Sequence, residues 1–293
     1  MLRPRRPLTV TIVDLHVHST ASDGRLAPAD VVRDAAAAGL AAVALTDHDT
    51  IDGLPEACAA ATGLGIRVVT GCEFSVAAPW GELHLLAYFL PVDSPAVNTF
   101  LHEQRAARAD RGARMVERLH GQGVDVALDD VLAEANGGAL GRPHVARALV
   151  ARGIVPDVAA AFERYLGRRK AAFVPKKLPQ IAHVTALVRD AGGVTSAAHL
   201  GERATRGTLA RLQRGGVDGV EVLHPSHDAA TAGRIQTRAR ELGLLVTGGS
   251  DWHGGAERDE VRAPLGGMNV PAEWLAEIER LAQDRRANEP GEG

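Results

Sequence analysis

The amino-acid sequence predicts an α/β fold with a mainly parallel sheet, and two observations support this prediction. Short apolar runs rich in β-branched residues alternate with Ala-, Leu- and Arg-rich stretches of helical character, which is typical of parallel sheets covered by helices. Seven such runs favour a closed or nearly closed barrel over a small open sheet. The predicted strands are Thr11–His18, Ala42–Thr46, Arg67–Cys72, Leu83–Tyr88, Val194–Ala198, Gly219–Leu223 and Leu244–Thr247.

Helical patterns fill most of the intervals between these strands. Their apolar residues recur at the spacing of one helix face, as expected for helices that cover a sheet. The predicted helices are Pro28–Ala38, Leu54–Thr62, Ala182–Ala191, Thr208–Arg214 and Ala229–Leu242.

The alternation stops after Leu90. Asp93-Ser94-Pro95 combines a capping residue with a proline at the first helical position, so a long helix should begin there and end near His120. Further helical patterns follow at Leu128–Ala135, Pro143–Ala151 and Val158–Leu166. We interpret residues 93–178 as a helical insertion between two strands of the barrel. Residues 8–92 and 179–285 would then form a discontinuous barrel, and the polar residues 286–293 a disordered tail.

Composition excludes several classes of protein. The 293 residues carry a formal net charge of −3, so no overall basic field exists to hold long duplex nucleic acid, although a local basic pocket is allowed. Cys58 and Cys72 are too few for a disulfide framework, which indicates a cytoplasmic protein. No apolar run reaches the ~18 residues of a membrane span.

The first strand carries a chemically suggestive motif, Asp14-Leu15-His16-Val17-His18. Side chains alternate between the faces of a strand, so Asp14, His16 and His18 should share one face. Two imidazoles spaced in this way can bind one metal ion. Taken alone, the motif fits a solvated polar strand end equally well.

Further His, Asp and Glu residues lie at the ends of other predicted strands. Some have ordinary explanations: Asp23 lies in a turn, Asp49 or Thr50 could cap a helix, and His84 could be a hydrogen-bonded core residue. A parallel barrel nevertheless brings such strand ends to one face, and this many ligands exceeds the need of one ion. The candidate metal ligands are His16, His18, Asp23, His48, Glu73, His84, His199, Asp251 and His253.

These residues resemble the ligand set of the polymerase and histidinol phosphatase (PHP) superfamily. The resemblance spans about Val10 to Val270 and is most specific in the motif that begins at Asp14 and in Thr46-Asp47-His48-Asp49-Thr50. Gly141-Arg142-Pro143-His144 and Tyr165-Leu166-Gly167 resemble the branch of nucleoside 3′,5′-bisphosphate phosphatases and 5′-to-3′ exoribonucleases. The resemblance implies a distorted (β/α)7 barrel with a helical insertion over the site.

The resemblance also implies how the ligands divide among three ions. Mixed imidazole and carboxylate ligands suit manganese, iron or zinc, and we expect two or three divalent ions with manganese favoured. One ion would be held by His16, His18, Glu73 and Asp251, a second by Glu73, His84 and His199, and a third by Asp23, His48 and His253.

The expected reaction is attack of a metal-bound hydroxide on phosphorus. The substrate would be the 3′-phosphate of a nucleoside 3′,5′-bisphosphate, or a short 5′-phosphorylated RNA. Two alternatives stay open at this point. One is a phosphatase for another small metabolite, such as histidinol phosphate, and the other is a non-catalytic module like those attached to replicative polymerases.

Four residues are candidates for binding the substrate. Arg142 offers a planar guanidinium for phosphate oxygens, although it could be an ordinary surface arginine. His227 could be a phosphate ligand or a general acid for the leaving group, or simply a turn residue. Lys176 could add positive charge or be solvated, and His224 could form the pocket wall or act as a weak ligand.

Overall fold

The computed structural model describes residues 11–254 and 263–288. Its strands form a single sheet in the order β7-β6-β5-β4-β3-β2-β1-β8. The seven predicted strands are confirmed, and the short strand β8 was not predicted. The strands are β1 Ile12–Val17, β2 Ala42–Leu45, β3 Arg67–Ala78, β4 Gly81–Tyr88, β5 Val194–Ala197, β6 Gly219–Leu223, β7 Leu245–Gly248 and β8 Val270–Pro271.

One strand in the middle of the sheet runs against its two neighbours. Strand β4 is antiparallel to both β3 and β5, whereas β1, β2 and β3 are parallel, as are β5, β6 and β7. Strand β3 continues beyond its predicted end at Cys72 as far as Ala78, where Pro79 and Trp80 connect it to β4. Such a short connection can join only antiparallel strands, so the turn itself dictates the reversal.

The two ends of the sheet approach each other and nearly close the barrel. The backbone N–H of His18 donates to the carbonyl of Trp252 at 2.8 Å, beyond the end of β7. A Cβ atom at Gly249 would lie only 2.4 Å from the backbone nitrogen of His16, so only glycine permits this approach. The predicted distorted (β/α)7 barrel is confirmed.

Helices α1, α2, α7, α8 and α9 pack against the strands in the largest hydrophobic cluster. Helix α10 packs against a second cluster that includes Val13 and Leu15 of β1. None of the helices within the described ranges is long and apolar enough to cross a membrane. These helices are α1 Pro28–Ala37, α2 Leu54–Ala60, α7 Ile181–Asp190, α8 Arg206–Arg214, α9 Ala229–Leu242 and α10 Ala272–Ala287.

The predicted disordered tail is wrong at its beginning. Helix α10 extends through Arg286 and Ala287, because Arg285 forms an ion pair with Asp218 and Arg286 donates to the carbonyl of Phe89 at 2.8 Å. The rest of that predicted tail, residues 289–293, lies outside the described residues, as do residues 8–10 and 255–262 of the predicted barrel.

Between β4 and β5 the described chain is helical, with α3 Pro95–His120, α4 Leu128–Ala135, α5 Arg142–Ala151 and α6 Val158–Ala161. Helix α6 continues into a wide π-helical turn, Phe162–Leu166. The side chain of Ser94 caps α3 as predicted, accepting a hydrogen bond from the backbone of Val97. A separate hydrophobic cluster joins these helices and draws all its buried members from residues 115–174.

Candidate metal centre

The carboxylate of Glu73 lies at the centre of the site and is 1% exposed. Imidazole nitrogens approach both of its oxygens. Oε2 lies 3.3 Å from His16 Nε2, 3.2 Å from His18 Nε2 and 3.1 Å from His48 Nδ1, while Oε1 lies 2.8 Å from His84 Nδ1 and 3.1 Å from His199 Nε2. The single carboxylate of Glu73 therefore contacts five imidazoles at the same time.

The reversal of β4 explains how His84 reaches this centre. Glu73 lies within β3 rather than just past its end, and the register pairs Ser75 of β3 with His84 of β4. Because the two strands are antiparallel, a residue early in β4 lies beside the late part of β3. His84 therefore reaches the same end of the barrel as the other ligands.

Asp251 supplies a second carboxylate to the cluster. Its Oδ1 lies 3.4 Å from Nε2 of His16, 3.2 Å from Nε2 of His18 and 3.6 Å from Nδ1 of His253. Asp251 adopts a φ of 51°, a left-handed conformation that is costly for a residue other than glycine and is common at functional sites.

Asp23 forms the third part of the cluster with His18, His48 and His253. Its Oδ1 lies 3.2 Å from Nε2 of His253, and its Oδ2 lies 3.9 Å from Nε2 of His48. Ligand atoms of these four residues all lie within 4.8 Å of one another. The structure thus brings every predicted metal ligand to one end of the barrel.

The electrostatics of the cluster are incompatible with full protonation of its imidazoles. Burial opposes protonation of His18, but the carboxylates of Asp251 and Glu73 outweigh it and raise the pKa of His18 to about 10. Burial, reinforced by the charges of His18 and His84, lowers the pKa of His48 to about 3. Neighbouring imidazoles with opposite pKa shifts indicate more basic groups than the site can protonate together.

The donor set fits divalent cations. Glu73 Oε2, His18 Nδ1 and His48 Nδ1 are buried without a hydrogen-bond partner among the described residues. Buried polar atoms without partners are costly, and bound cations would satisfy carboxylate and imidazole atoms of this kind.

Glu221 supports the cluster, although its role was not recognised in the sequence. Its Oε1 lies 3.0 Å from Nδ1 of His16, and its Oε2 accepts a hydrogen bond from the backbone N–H of His199 at 2.7 Å. Such contacts orient a metal-binding histidine and fix its tautomer. The sequence does contain a feature that points to Glu221. It is the one carboxylate within the apolar strand β6, where an unpaired charge would be costly.

Two further aspartates hold the surrounding loops. Asp14 accepts hydrogen bonds from the backbones of Ser250 and Gly266, and Asp47 accepts from Ser19 and Ser22. These contacts fix the loops that precede Asp251 and Asp23.

The interpretation of Asp49 or Thr50 as a helix cap is wrong. Helix α2 has Gly53 at its N-cap, while Asp49 accepts from the backbone of Ser75 at 2.8 Å and from Nε of Arg108 at 2.8 Å. The carboxylate joins the barrel to α3 because Arg108 offers a buried cationic partner.

A cleft of about 540 Å³ lies between the metal ligands and the insertion. Its cationic lining residues are Arg108, Arg111, Arg142 and Lys176. Arg108 is paired with Asp49 and Lys176 with Glu82, whereas no described carboxylate lies within ion-pair distance of Arg111 or Arg142.

The positions of Arg142 and Arg111 are defined by different contacts. The guanidinium carbon of Arg142 lies 5.4 Å from the ring centre of Phe162 and 5.6 Å from that of Phe173. Nε of Arg111 donates to the carbonyl of Val174 at 2.7 Å. Burial and the charges of Arg142 and Arg108 lower the pKa of Arg111 to about 10, so it stays protonated at neutral pH. Arg111 was not singled out in the sequence, where it resembles any other helical arginine.

His224 and His227 have different surroundings. Nε2 of His227 accepts from the backbone N–H of Gly201 at 3.0 Å, and its Nδ1 donates to the carbonyl of Val222 at 3.0 Å. Both ring nitrogens are therefore occupied, and none is left for a phosphate oxygen. His224 Nδ1 accepts from the backbone N–H of Ser226 at 3.1 Å, which leaves the proton on Nε2, 3.5 Å from Oδ2 of Asp251.

A nearly closed α/β barrel with this cluster of His, Asp and Glu at one end defines a metal-dependent hydrolase. The sequence model of the PHP domain matches residues 14–166, and the chain belongs to this family.

Similar proteins agree with this membership. The chain is 34% identical over 245 residues to a 5′-3′ exoribonuclease of Haemophilus influenzae, covering 82% of this chain and 89% of the relative. It is 34% identical over 253 residues to a 3′,5′-nucleoside bisphosphate phosphatase of Chromobacterium violaceum, covering 84% and 88%. A crystal structure described as a metal-dependent phosphoesterase from Bifidobacterium adolescentis superposes with a TM-score of 0.84 at 34% identity, covering 92% of this chain and 96% of that one.

Proposed function

We propose that this metal-dependent phosphoesterase removes the 3′-phosphate of nucleoside 3′,5′-bisphosphates and shortens small 5′-phosphorylated RNAs. The observation that carries the proposal is the cleft, which places Arg111 and Arg142 beside the candidate metal centre. A substrate with two phosphate groups needs a metal centre for the phosphate that is cleaved and positive charge for the phosphate that is kept. The names of the relatives from Haemophilus influenzae and Chromobacterium violaceum describe these two activities.

The residues proposed to hold two or three divalent ions, with manganese favoured, are His16, His18, Asp23, His48, Glu73, His84, His199, Asp251 and His253. When bound, such ions supply Lewis acidity at the phosphoryl oxygens and make a coordinated water more acidic. Glu221 would orient His16 and so keep its Nε2 directed at the centre.

Arg142 would bind the phosphate that is not cleaved. Its guanidinium is held near two phenyl rings and can donate two parallel hydrogen bonds to phosphate oxygens. Arg111 would add a second unpaired positive charge. Lys176 contributes less net charge because Glu82 binds it.

His224 would donate the hydrogen on Nε2 to a phosphoryl oxygen or to Asp251. This proposal rests on the backbone hydrogen bond from Ser226, which requires Nδ1 of a neutral ring to be an acceptor. We leave His227 out of the catalytic set, because its contacts with Gly201 and Val222 suit it to positioning the loop after His199.

A comparison of two substrates tests the proposal. Phosphate release from 3′-phosphoadenosine 5′-phosphate and from adenosine 3′-monophosphate would be measured with added manganese. We expect the 5′-phosphate to raise kcat/KM by about tenfold or more, since it adds charge-assisted hydrogen bonds. Arg142→Ala should abolish this preference, whereas Arg152→Ala, an exposed residue at the end of the same helix, should not. Equal rates for both substrates with the wild-type enzyme would contradict the proposal.

We further propose that the protein acts in the cytoplasm, where nucleotide substrates are abundant. Its two cysteines are free, Cys58 at the surface and Cys72 buried, as is usual in a reducing compartment. Cell fractionation followed by immunodetection would test this location, and recovery from a secreted fraction would contradict it.

A further inference from the structure

A second cleft of about 590 Å³ opens on the other side of the candidate metal centre. Its inner end is formed by His84 and His199, and its outer part by Trp80, Arg168 and Arg203. It shares Glu82, His84 and Arg142 with the cleft beneath the insertion. The two clefts are therefore arms of one groove that passes over the metal ligands, and we call this one the outer arm.

The outer arm has an excess of positive charge. Within residues 11–254 and 263–288, Arg168 and Arg203 are exposed and form no ion pair with a carboxylate. Glu82, the carboxylate that lines this arm, is already bound to Lys176 and lies 3.2 Å from Nε2 of His84. Unpaired arginines along an open groove are suited to the phosphates of a nucleic-acid backbone.

The hairpin between β3 and β4 forms the outer wall. Gly81 has a φ of +119°, and a Cβ atom there would lie 3.0 Å from a terminal nitrogen of Arg168. The glycine thus lets the Arg168 guanidinium lie against the hairpin backbone. Next to it, half-buried Trp80 packs partly on the hydrophobic core and partly lines the groove. An indole ring in this position offers a stacking surface for a base.

The chemistry of the reaction distinguishes the two arms. Hydrolysis joins a water oxygen to phosphorus, breaks the bond from phosphorus to the 3′-oxygen and returns a proton to that oxygen. The nucleoside that departs occupies one side of the phosphorus. In a bisphosphate nothing extends on the other side, whereas in RNA the rest of the strand continues there.

We propose that the outer arm binds the nucleotides that follow the scissile phosphate in single-stranded RNA. Arg168 and Arg203 bind backbone phosphates, and Trp80 stacks on a base. The cleft beneath the insertion, with Arg111 and Arg142, holds the 5′-terminal nucleotide. This inference rests on the proposed function and identifies the residues that hold the RNA strand beyond its first linkage.

The test compares one enzyme on two substrates. Manganese-loaded wild type and an Arg168→Ala, Arg203→Ala double variant would be assayed with 3′-phosphoadenosine 5′-phosphate and with 5′-phosphorylated RNA of about five nucleotides. We expect the double variant to lose about tenfold or more in kcat/KM for the RNA, with a weaker salt dependence, and to keep its rate with the bisphosphate. Arg33→Ala, Arg240→Ala is a matched control with two exposed arginines on α1 and α9.

A binding measurement keeps this test independent of turnover. The probe is a fluorescent RNA of the same length in which CH₂ replaces the 3′-oxygen of the first linkage. Fluorescence anisotropy should show a dissociation constant about tenfold higher for the double variant, and about threefold higher or more for Trp80→Phe.

The outcomes separate the two proposals. Equal losses with both substrates, or unchanged RNA binding by the double variant, would contradict the proposed role of the outer arm. Neither result would contradict the proposed bisphosphatase activity of the wild-type enzyme. Wild-type enzyme that binds the RNA probe through Arg168 and Arg203 but hydrolyses neither substrate would instead overturn the proposed function.

Discussion

The barrel and the insertion contribute unlike groups to the same cleft. The barrel end supplies carboxylates and imidazoles that are buried or half-buried and that contact one another, with Glu73 at their centre. The insertion supplies Arg111 and Arg142, whose guanidinium groups contact backbone carbonyls and aromatic rings rather than carboxylates. In the function proposed above, the barrel provides the chemistry and the insertion selects the substrate.

The largest effect should come from the centre of the barrel site. Glu73→Gln keeps the size of the side chain but removes the charge that contacts the imidazoles around it. We expect loss of bound metal and a decrease in kcat of about 10³-fold or more with every substrate. Metal analysis of the purified protein and phosphate release would measure the two effects.

Glu277→Gln, an exposed position on α10, is the matched control. The opposite result would be a Glu73→Gln protein that keeps its full metal content but changes its preference between substrates. It would contradict the assignment of chemistry to the barrel and of substrate selection to the insertion.

A smaller effect on metal binding is expected for Glu221, which contacts the candidate ligand His16. Glu221→Gln should weaken metal binding by about 10–100-fold, because Glu221 orients His16 and fixes its tautomer. Titration of the metal-free protein with manganese would measure this change. At saturating manganese, the ratio of activities with the two nucleotide substrates should equal that of the wild type. A metal affinity equal to the wild type would show that His16 needs no support from Glu221.

The smallest effect should come from the insertion side. Arg111→Met should lower kcat/KM for the 3′,5′-bisphosphate by about tenfold and leave hydrolysis of the 3′-monophosphate unchanged, since it removes one charge-assisted contact. Arg114→Met, an exposed residue nearby on α3, provides the comparison. Equal losses with both substrates would mean that Arg111 serves the reaction itself or the stability of the cleft.

The sequence predicted the barrel well because its signals are local. Strand positions follow from apolar runs such as Ala42–Leu45, and the start of α3 follows from Ser94 and Pro95. Each candidate ligand could be recognised because a His, Asp or Glu beside a buried strand is chemically conspicuous. The reversal of β4 was less visible, because its periodicity is the same in either direction.

The substrate side of the site was harder to predict. Arg142 was proposed because it belongs to a recognisable motif, whereas Arg111 and Arg108 have the spacing of ordinary helix residues. His227 was chosen for its chemistry, but its contacts depend on Gly201, which is distant in the sequence. No local pattern encodes which backbone groups such a side chain will contact.

The sequence by itself therefore determined the kind of protein: an α/β barrel of the PHP family, with candidate metal ligands at its strand ends and a helical segment between two strands. Only the tertiary structure decided which groups are free to act. It placed Glu221 behind His16, used both nitrogens of His227, and left Arg111 and Arg142 without carboxylate partners among the described residues. The physical reason is that periodicity and residue type report local burial and chemistry, whereas hydrogen bonds and ion pairs between distant segments form only when the chain has folded.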